Sequence, residues 1–328
     1  MRVLIAGAAG QVGQELLRLA PERADIVAMD RTSLDIADAS QVAAVIARVK
    51  PELIFNAAAY TAVDKAESER NLVWAVNCDG VANLATAAQQ AGIPLLHIST
   101  DYVFDGTGQQ PYSETSATGP TGVYGASKLA GEQALVRQCT RHIILRTSWV
   151  FGAQGNNFVK TMLRLGGGRD KLGVVADQRG CPTSAASIAD TLWSLAKQFE
   201  TQGTLKWGTY HFSNAPACSW HEFAVAIFDQ GLGADLLDRV PAVDAIATRD
   251  YPTPACRPAW SVLDCSKLKA AYGITQPDWR NELGKMLAQL KSGQAEARLA
   301  SAQRVVVKDL DEAFQANSQD TLAKASKF

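Results

Sequence analysis

Short apolar runs alternate with segments of helical periodicity through the first half of the chain. Arg2 to Ala6 reads as a buried strand, and Gly7 to Gly13 as a turn opening a helix that reaches Ala20. Ile26 to Met29 is a second strand with Asp30 at its carboxyl end. A helix from about Ser40 to Val49 ends before Pro51, and Leu53 to Phe55 is a third strand running into Asn56, Ala57, Ala58 and Ala59. Asn71 to Ala91 is helical, Pro94 to Ile98 a fourth strand, Tyr124 to Gln138 a helix and Arg141 to Leu145 a fifth strand. This regular alternation predicts an α/β protein, a doubly wound parallel sheet with helices on both faces.

After Phe151 the pattern loosens. Helices at about Asn157 to Leu165, Ser184 to Phe199, Trp220 to Gln230 and Trp279 to Leu290 are separated by long loops containing Pro and Gly. The expected organisation is a nucleotide-binding domain over residues 1–150, to which some later segments return, and a smaller, mostly helical substrate-binding lobe over 151–293. A polar, Pro-free extension follows over 294–328.

Composition removes several classes. The 328 residues are 47% hydrophobic and 20% charged, which is ordinary globular usage and excludes disordered or coiled-coil chains. Thirty-two basic residues against 33 acidic ones, with no long run of one sign, give no electrostatic footprint for nucleic acid or anionic lipid. The six cysteines are too widely spaced for CxxC chemistry and are read as reduced thiols. Arg2 precedes only a short apolar run, and Gly80 to Ile98 is broken by Asn83, Gln89 and Pro94, so neither a signal peptide nor a membrane span is predicted. A soluble, cytoplasmic protein with a small-molecule partner is expected.

The candidate chemistry begins at Gly7, Gly10 and Gly13, between a predicted strand and the helix it feeds. Glycine there permits the tight turn, lets backbone N–H groups approach a pyrophosphate, and allows close strand–helix packing, while the helix dipole favours the anion. The spacing is GxxGxxG, a variant of the Rossmann fingerprint. Asp30, about 20 residues further on, stands where a carboxylate accepts the hydroxyls of an adenosine ribose. Its neighbour Arg31 suits a 2′-phosphate instead, so NADH and NADPH both remain compatible. Asp35 and Ile36 suit an adenine edge and face, or a simple helix cap.

Tyr124 and Lys128 stand one helical turn apart and share a face. A free tyrosine titrates near 10, so a nearby ammonium would help it act as an acid, and the small Gly125, Ala126 and Ser127 would let the helix pass close to a bound cofactor. Ser99, Thr100, Asp101 and Tyr102 begin where the fourth strand ends, where a hydroxyl can hydrogen-bond a substrate carbonyl or merely cap the loop. His97, His142, His211 and His221 lack metal-ligand spacing and are read as structural, and no Ser-His-Asp triad or GxxxxGK loop is present.

Taken together, the glycine turn, the run Asn56 to Glu67, the run Ser99 to Gly106, the Tyr124/Lys128 pair and Arg146 to Trp149 resemble the extended short-chain dehydrogenase/reductases. Within them they are most similar to the dTDP-4-dehydrorhamnose reductase family, with Asn156 to Phe158, Gly180 to Thr183 and Tyr251 to Pro258 extending the likeness to about residue 290. The resemblance implies that Gly7, Gly10, Gln11, Val12, Gly13, Asp30, Arg31, Asp35, Ile36, Ala57, Ala58, Ala59 and Tyr60 bind NADPH or NADH. It implies that Thr100, Tyr124 and Lys128 are catalytic, the last two also touching the cofactor. Thr61, Thr100, Asp101, Tyr102, Trp149, Asn157 and Arg257 would face a dTDP-sugar, whose C4 ketone is reduced in dTDP-L-rhamnose synthesis.

Some members dimerise through a magnesium ion held by glutamates. Glu15 matches one such position, but Ala186 and Gln289 stand at the others and cannot replace carboxylates for a hard cation, so neither that ion nor that contact is expected. A monomer or homodimer is compatible with the sequence. Two other readings share the fold. A 4,6-dehydratase or epimerase would want a second carboxylate where Tyr102 stands, and a regulatory subunit resembling that of methionine adenosyltransferase would not need Thr100, Tyr124 and Lys128 together.

Overall fold

The computed structural model describes residues 1–293; the polar extension expected over 294–328 lies outside them. Six parallel strands form the central sheet. They are β1 (Arg2–Ala6), β2 (Asp25–Met29), β3 (Leu53–Asn56), β4 (Leu95–Thr100), β5 (His142–Thr147) and β6 (Gly208–His211), in the spatial order 2-1-3-4-5-6. The first five match the strands expected from the apolar runs. β6 does not: it is four residues long, and it joins the sheet because the free edge of β5 offers parallel partners from Ile143 to Arg146.

Both faces of the sheet are covered, as near-continuous apolar strands require. On one side Val3, Ile5, Phe55, Ile143 and Leu145 pack against Ile188, Leu192 and Trp193 of helix Ala185–Gln202, whose indole donates to Leu16 O at 2.9 Å. On the other side Leu4, Ile54, Leu95 and Ile144 meet Val42, Val45 and Ile46 of helix Ala39–Val49 and Leu84 and Ala88 of helix Gly80–Ala91. The chain leaves β1 for β2 on one side and returns to β3 on the other. That reversal opens a crevice above the carboxyl ends of β1 and β3, the place where ligands bind such sheets.

The expected single helix over Asn71 to Ala91 is three segments: Arg70–Trp74, a π-helical turn Ala75–Asp79, and Gly80–Ala91. The extra residue in the π turn rotates Asn77 inward, where it is fully buried. The second lobe is less helical than expected. Helices Phe158–Gly166, Trp220–Gly233 and Trp279–Ser292 are laced by small strand pairs, Lys171–Val175 with Ala242–Ile246, Arg179–Gly180 with Cys218–Ser219, and Val150–Phe151 with Thr183–Ser184. Phe151, Phe223, Phe228 and Trp279 fill its core.

Candidate active site

The glycine turn is shaped by what crosses it. Gly7 has φ 81°, and a Cβ there would lie 2.4 Å from Ala58 N; a Cβ on Gly13 would lie 2.3 Å from Gly7 O. No side chain caps helix Gln11–Arg18, so its first-turn N–H groups face the crevice without protein acceptors, a ready anion site. Beside it lies a cavity of about 220 Å³ lined by Gly7, Gly10, Arg31, Asp35, Ile36, Ala57, Ala58, Ala59 and Tyr60. Gln11 and Val12 follow on the helix, with Val12 buried against the sheet.

Two of the expected acidic groups make local hydrogen bonds. Asp30 turns its carboxylate into its own loop: Oδ1 accepts from Thr32 N, Thr32 Oγ1, Ser33 N and Ser33 Oγ at 2.8–3.0 Å, which holds the acid below its usual range. Its neighbour Arg31 lines the cavity. Asp35 behaves as a local turn residue, Oδ1 accepting from Ala37 N at 3.0 Å, while the buried Ile36 is backed by Gly80.

The catalytic candidates come from two elements. Thr100 ends β4, and its Oγ1 accepts from Tyr102 N (3.2 Å) and donates to Asp101 Oδ1 (3.0 Å), so it caps the loop as well as facing the site. Tyr124 and Lys128 lie on helix Val123–Gln138, with the Tyr124 ring edge-on to Tyr102 at 5.4 Å. Burial pushes the Tyr124 phenol well above its ordinary value; a hydrogen bond with Thr100 pulls it down, and Asp101 and Tyr102 push it up. Lys128 is not among the groups that shift this phenol in the unliganded protein. A phenol this weak stays protonated at neutral pH, which suits a proton donor.

Lys128 is buried, and burial pushes it down to about 8 while Glu132 opposes the shift. Its Nζ donates to Ile98 O at 2.7 Å and lies 3.2 Å from His97 Nε2. The small residues beside it serve the protein: a Cβ on Gly125 would lie 2.2 Å from Tyr102 O, and Ser127 accepts from Asn77. The smallness of Gly125 therefore admits the Tyr102 loop.

Next to Thr100, Asp101 is wholly buried, with Oδ2 unpartnered, and burial raises it to about 7 against hydrogen bonds from Thr100 and Ser261. Arg257 pairs with Asp64 at 2.7 Å, leaving a buried Nη1 without a partner, and it hydrogen-bonds Tyr102, whose phenol burial raises to about 12. Trp149 adopts φ 48° and stacks on Trp220 at 3.5 Å. Thr61 is exposed at the end of the Ala57–Tyr60 loop. The Asn157 amide is engaged within the protein. Oδ1 accepts from Lys160 N as a helix cap, and Nδ2 donates to Gln11 Oε1 (2.9 Å) and Gly152 O (2.7 Å).

Several residues that shape the site have no local signal. Asn77 accepts from Tyr60 N (2.8 Å) and donates to Tyr60 O and Ser127 Oγ (both 3.1 Å), tying the cofactor loop to the Tyr124 helix. Arg146 and Glu132 form a buried ion pair. His97, expected to be structural, contacts Lys128 on one side and Asn56 on the other. Glu15 is engaged by Arg18 at 2.6 Å, and among the described residues no three acidic, His or Cys side chains gather as a metal site. Among the same residues no helix is long and apolar enough to cross a membrane.

The sequence profile of the RmlD substrate binding domain matches residues 1–292. The chain belongs to this family. It is 48% identical over 289 residues to the dTDP-4-dehydrorhamnose reductase of Aggregatibacter actinomycetemcomitans, covering 88% of this chain and 98% of that one. Among solved structures of this family, a dTDP-4-dehydrorhamnose reductase from Clostridium acetobutylicum superposes with a TM-score of 0.82 at 37% identity, covering 89% of this chain and 100% of that one. The Bacillus anthracis dTDP-4-dehydrorhamnose reductase, solved in complex with NADP, gives a TM-score of 0.81 at 40% identity, with 88% and 99% covered.

Proposed function

We propose that this member of the RmlD family is an oxidoreductase that reduces the C4 ketone of dTDP-4-dehydro-β-L-rhamnose to dTDP-L-rhamnose, using NADPH or NADH. The observation that carries this reading is the convergence of Thr100 and Tyr124, with Lys128 one turn away, at the carboxyl edge of the sheet beside the glycine turn. The residues fit a dinucleotide: the Gly7 cradle that a Cβ would fill, and the uncapped helix behind it, suit a pyrophosphate. Arg31 on the cavity wall, with Asp30 turned inward, favours a cofactor bearing a 2′-phosphate.

When bound, the reduced nicotinamide supplies the hydride. The Thr100 hydroxyl orients and polarises the substrate carbonyl. The Tyr124 phenol, kept protonated by burial, gives its proton to the alkoxide that develops at C4. Lys128, in its ammonium form, keeps an N–H free of protein acceptors for a cofactor hydroxyl while Ile98 O fixes its position, and its positive charge steadies the phenolate that Tyr124 leaves behind, so turnover needs the ammonium. Asp101, Tyr102 and Arg257 line the sugar-nucleotide side, with the unpartnered Arg257 Nη1 suited to a diphosphate oxygen.

The test is an absorbance assay with reduced cofactor and a panel of nucleotide-linked 4-keto sugars. The expected result is cofactor oxidation with the dTDP-linked substrate, and a fall of about 10²- to 10⁴-fold in kcat for Tyr124→Phe with cofactor affinity unchanged. No oxidation with any keto-sugar would favour the regulatory-subunit reading, and formation of a 4-keto-6-deoxy sugar from dTDP-glucose would favour the dehydratase.

A further inference from the structure

Behind Lys128 runs a line of polar groups with a fixed direction. The Ala58 backbone N–H can only donate, and it lies 3.1 Å from Asn56 Oδ1. That contact fixes the Asn56 amide, so its Nδ2 presents hydrogens to His97 Nδ1 at 3.0 Å. Nδ1 must therefore accept, and a neutral imidazole with an accepting Nδ1 carries its proton on Nε2. Nε2 faces Lys128 Nζ at 3.2 Å. An uncharged amine can take that proton into its lone pair and still donate to Ile98 O; an ammonium has only donors, so two N–H groups would meet head on.

We propose that His97, oriented by Asn56, is a positioning residue that opposes the ammonium form of Lys128 and so sets the alkaline limit of turnover, an inference that rests on the reductase reading above. The chain starts at Ala58, in the loop lining the cofactor cavity, and ends at the catalytic helix, so it couples the two halves of the site through β3 and β4. His97 is fully buried and held neutral by burial and by the nearby Lys128. The other ionisable groups around Lys128 do not replace it. Glu132 favours the ammonium, but Arg146 of β5 holds its carboxylate with contacts of 2.6–3.2 Å. Tyr124 on the same helix stays protonated, and Asp101 at the end of β4 acts on Tyr124.

Two measurements test this. The ¹⁵N chemical shifts of His97 in the unmodified protein report its tautomer without any turnover, and the Nε2–H form is expected; an Nδ1–H imidazole overturns the proposal. The pH profile of kcat is then compared with that of His97→Gln, whose amide can turn its oxygen to the ammonium. The unmodified enzyme should lose activity above about pH 8, and the variant's alkaline limb should move up by about one pH unit, the size conferred by a hydrogen bond to a charged group. A uniform loss of kcat at every pH, with the limb unmoved, would mean His97 only fills space and also overturns the proposal. Failure of the reductase reading would leave the tautomer measurement intact, so the two outcomes are separable.

Discussion

Glu132 and Arg146 close a buried, bidentate ion pair, 2.6 Å at its shortest, between the middle of the catalytic helix and the end of β5. Arg146 also lies over the Phe104 ring at 5.2 Å. The pair therefore ties the helix that carries Tyr124 and Lys128 to the sheet.

Breaking that pair should be costly, because the surviving guanidinium would stay buried with no countercharge. Glu132→Gln is expected to destabilise the fold by about 3–5 kcal/mol. The check is the urea midpoint, which should fall with an unchanged m-value; a midpoint within error of the parent would show that the pair is not structural.

Cofactor choice should respond to Arg31. If the guanidinium reaches a 2′-phosphate, Arg31→Ala removes a charge-assisted contact of about 1.5–3 kcal/mol, raising KM for NADPH about 10- to 100-fold while leaving NADH nearly unaffected. Steady-state kinetics with both cofactors decide it. Equal effects on the two would place Arg31 outside the discriminating contact.

Asp101 should leave a mark on stability against pH. Its folded pKa, raised by burial from 3.8 to about 7, means that the folded state binds more protons than the unfolded state between those values. Its contribution is fully present below pH 3.8 and is lost as pH rises to about 7. Asp101→Asn should remove that fall, an effect on the order of 3 kcal/mol between pH 5 and pH 8, where about two pH units of the shift are crossed. Urea unfolding at pH 5 and pH 8 measures it, and identical slopes in both proteins would refute the buried-acid account.

Much of this architecture is legible in the sequence because its signals are local. Apolar runs and helical spacing mark β1 to β5, and Gly7 and Gly13 announce a turn that the Ala58 backbone does indeed crowd. The sixth strand carries no such signal: its Gly208 and Thr209 are half-buried, and only the edge of β5 makes the segment a strand. The candidate catalytic residues Tyr124 and Lys128 are marked by spacing and Thr100 by its place at the end of a strand, but what surrounds them is not legible. Asn56, Asn77 and His97 are single polar residues inside apolar segments, and the sequence places them without saying what they face. Glu132 and Arg146 are 14 residues apart and meet only after helix and strand have packed. The smallness of Gly125 is visible too, yet its cause, the Tyr102 carbonyl, is a tertiary contact.

The amide of Asn157 has a last implication. One side chain caps the first helix of the second lobe and at the same time grips Gln11 beside the phosphate cradle. The start of helix Phe158–Gly166 and the first turn of helix Gln11–Arg18 thus share one peg, so a change of side chain at either residue of the Gln11–Asn157 contact is felt in both halves of the molecule.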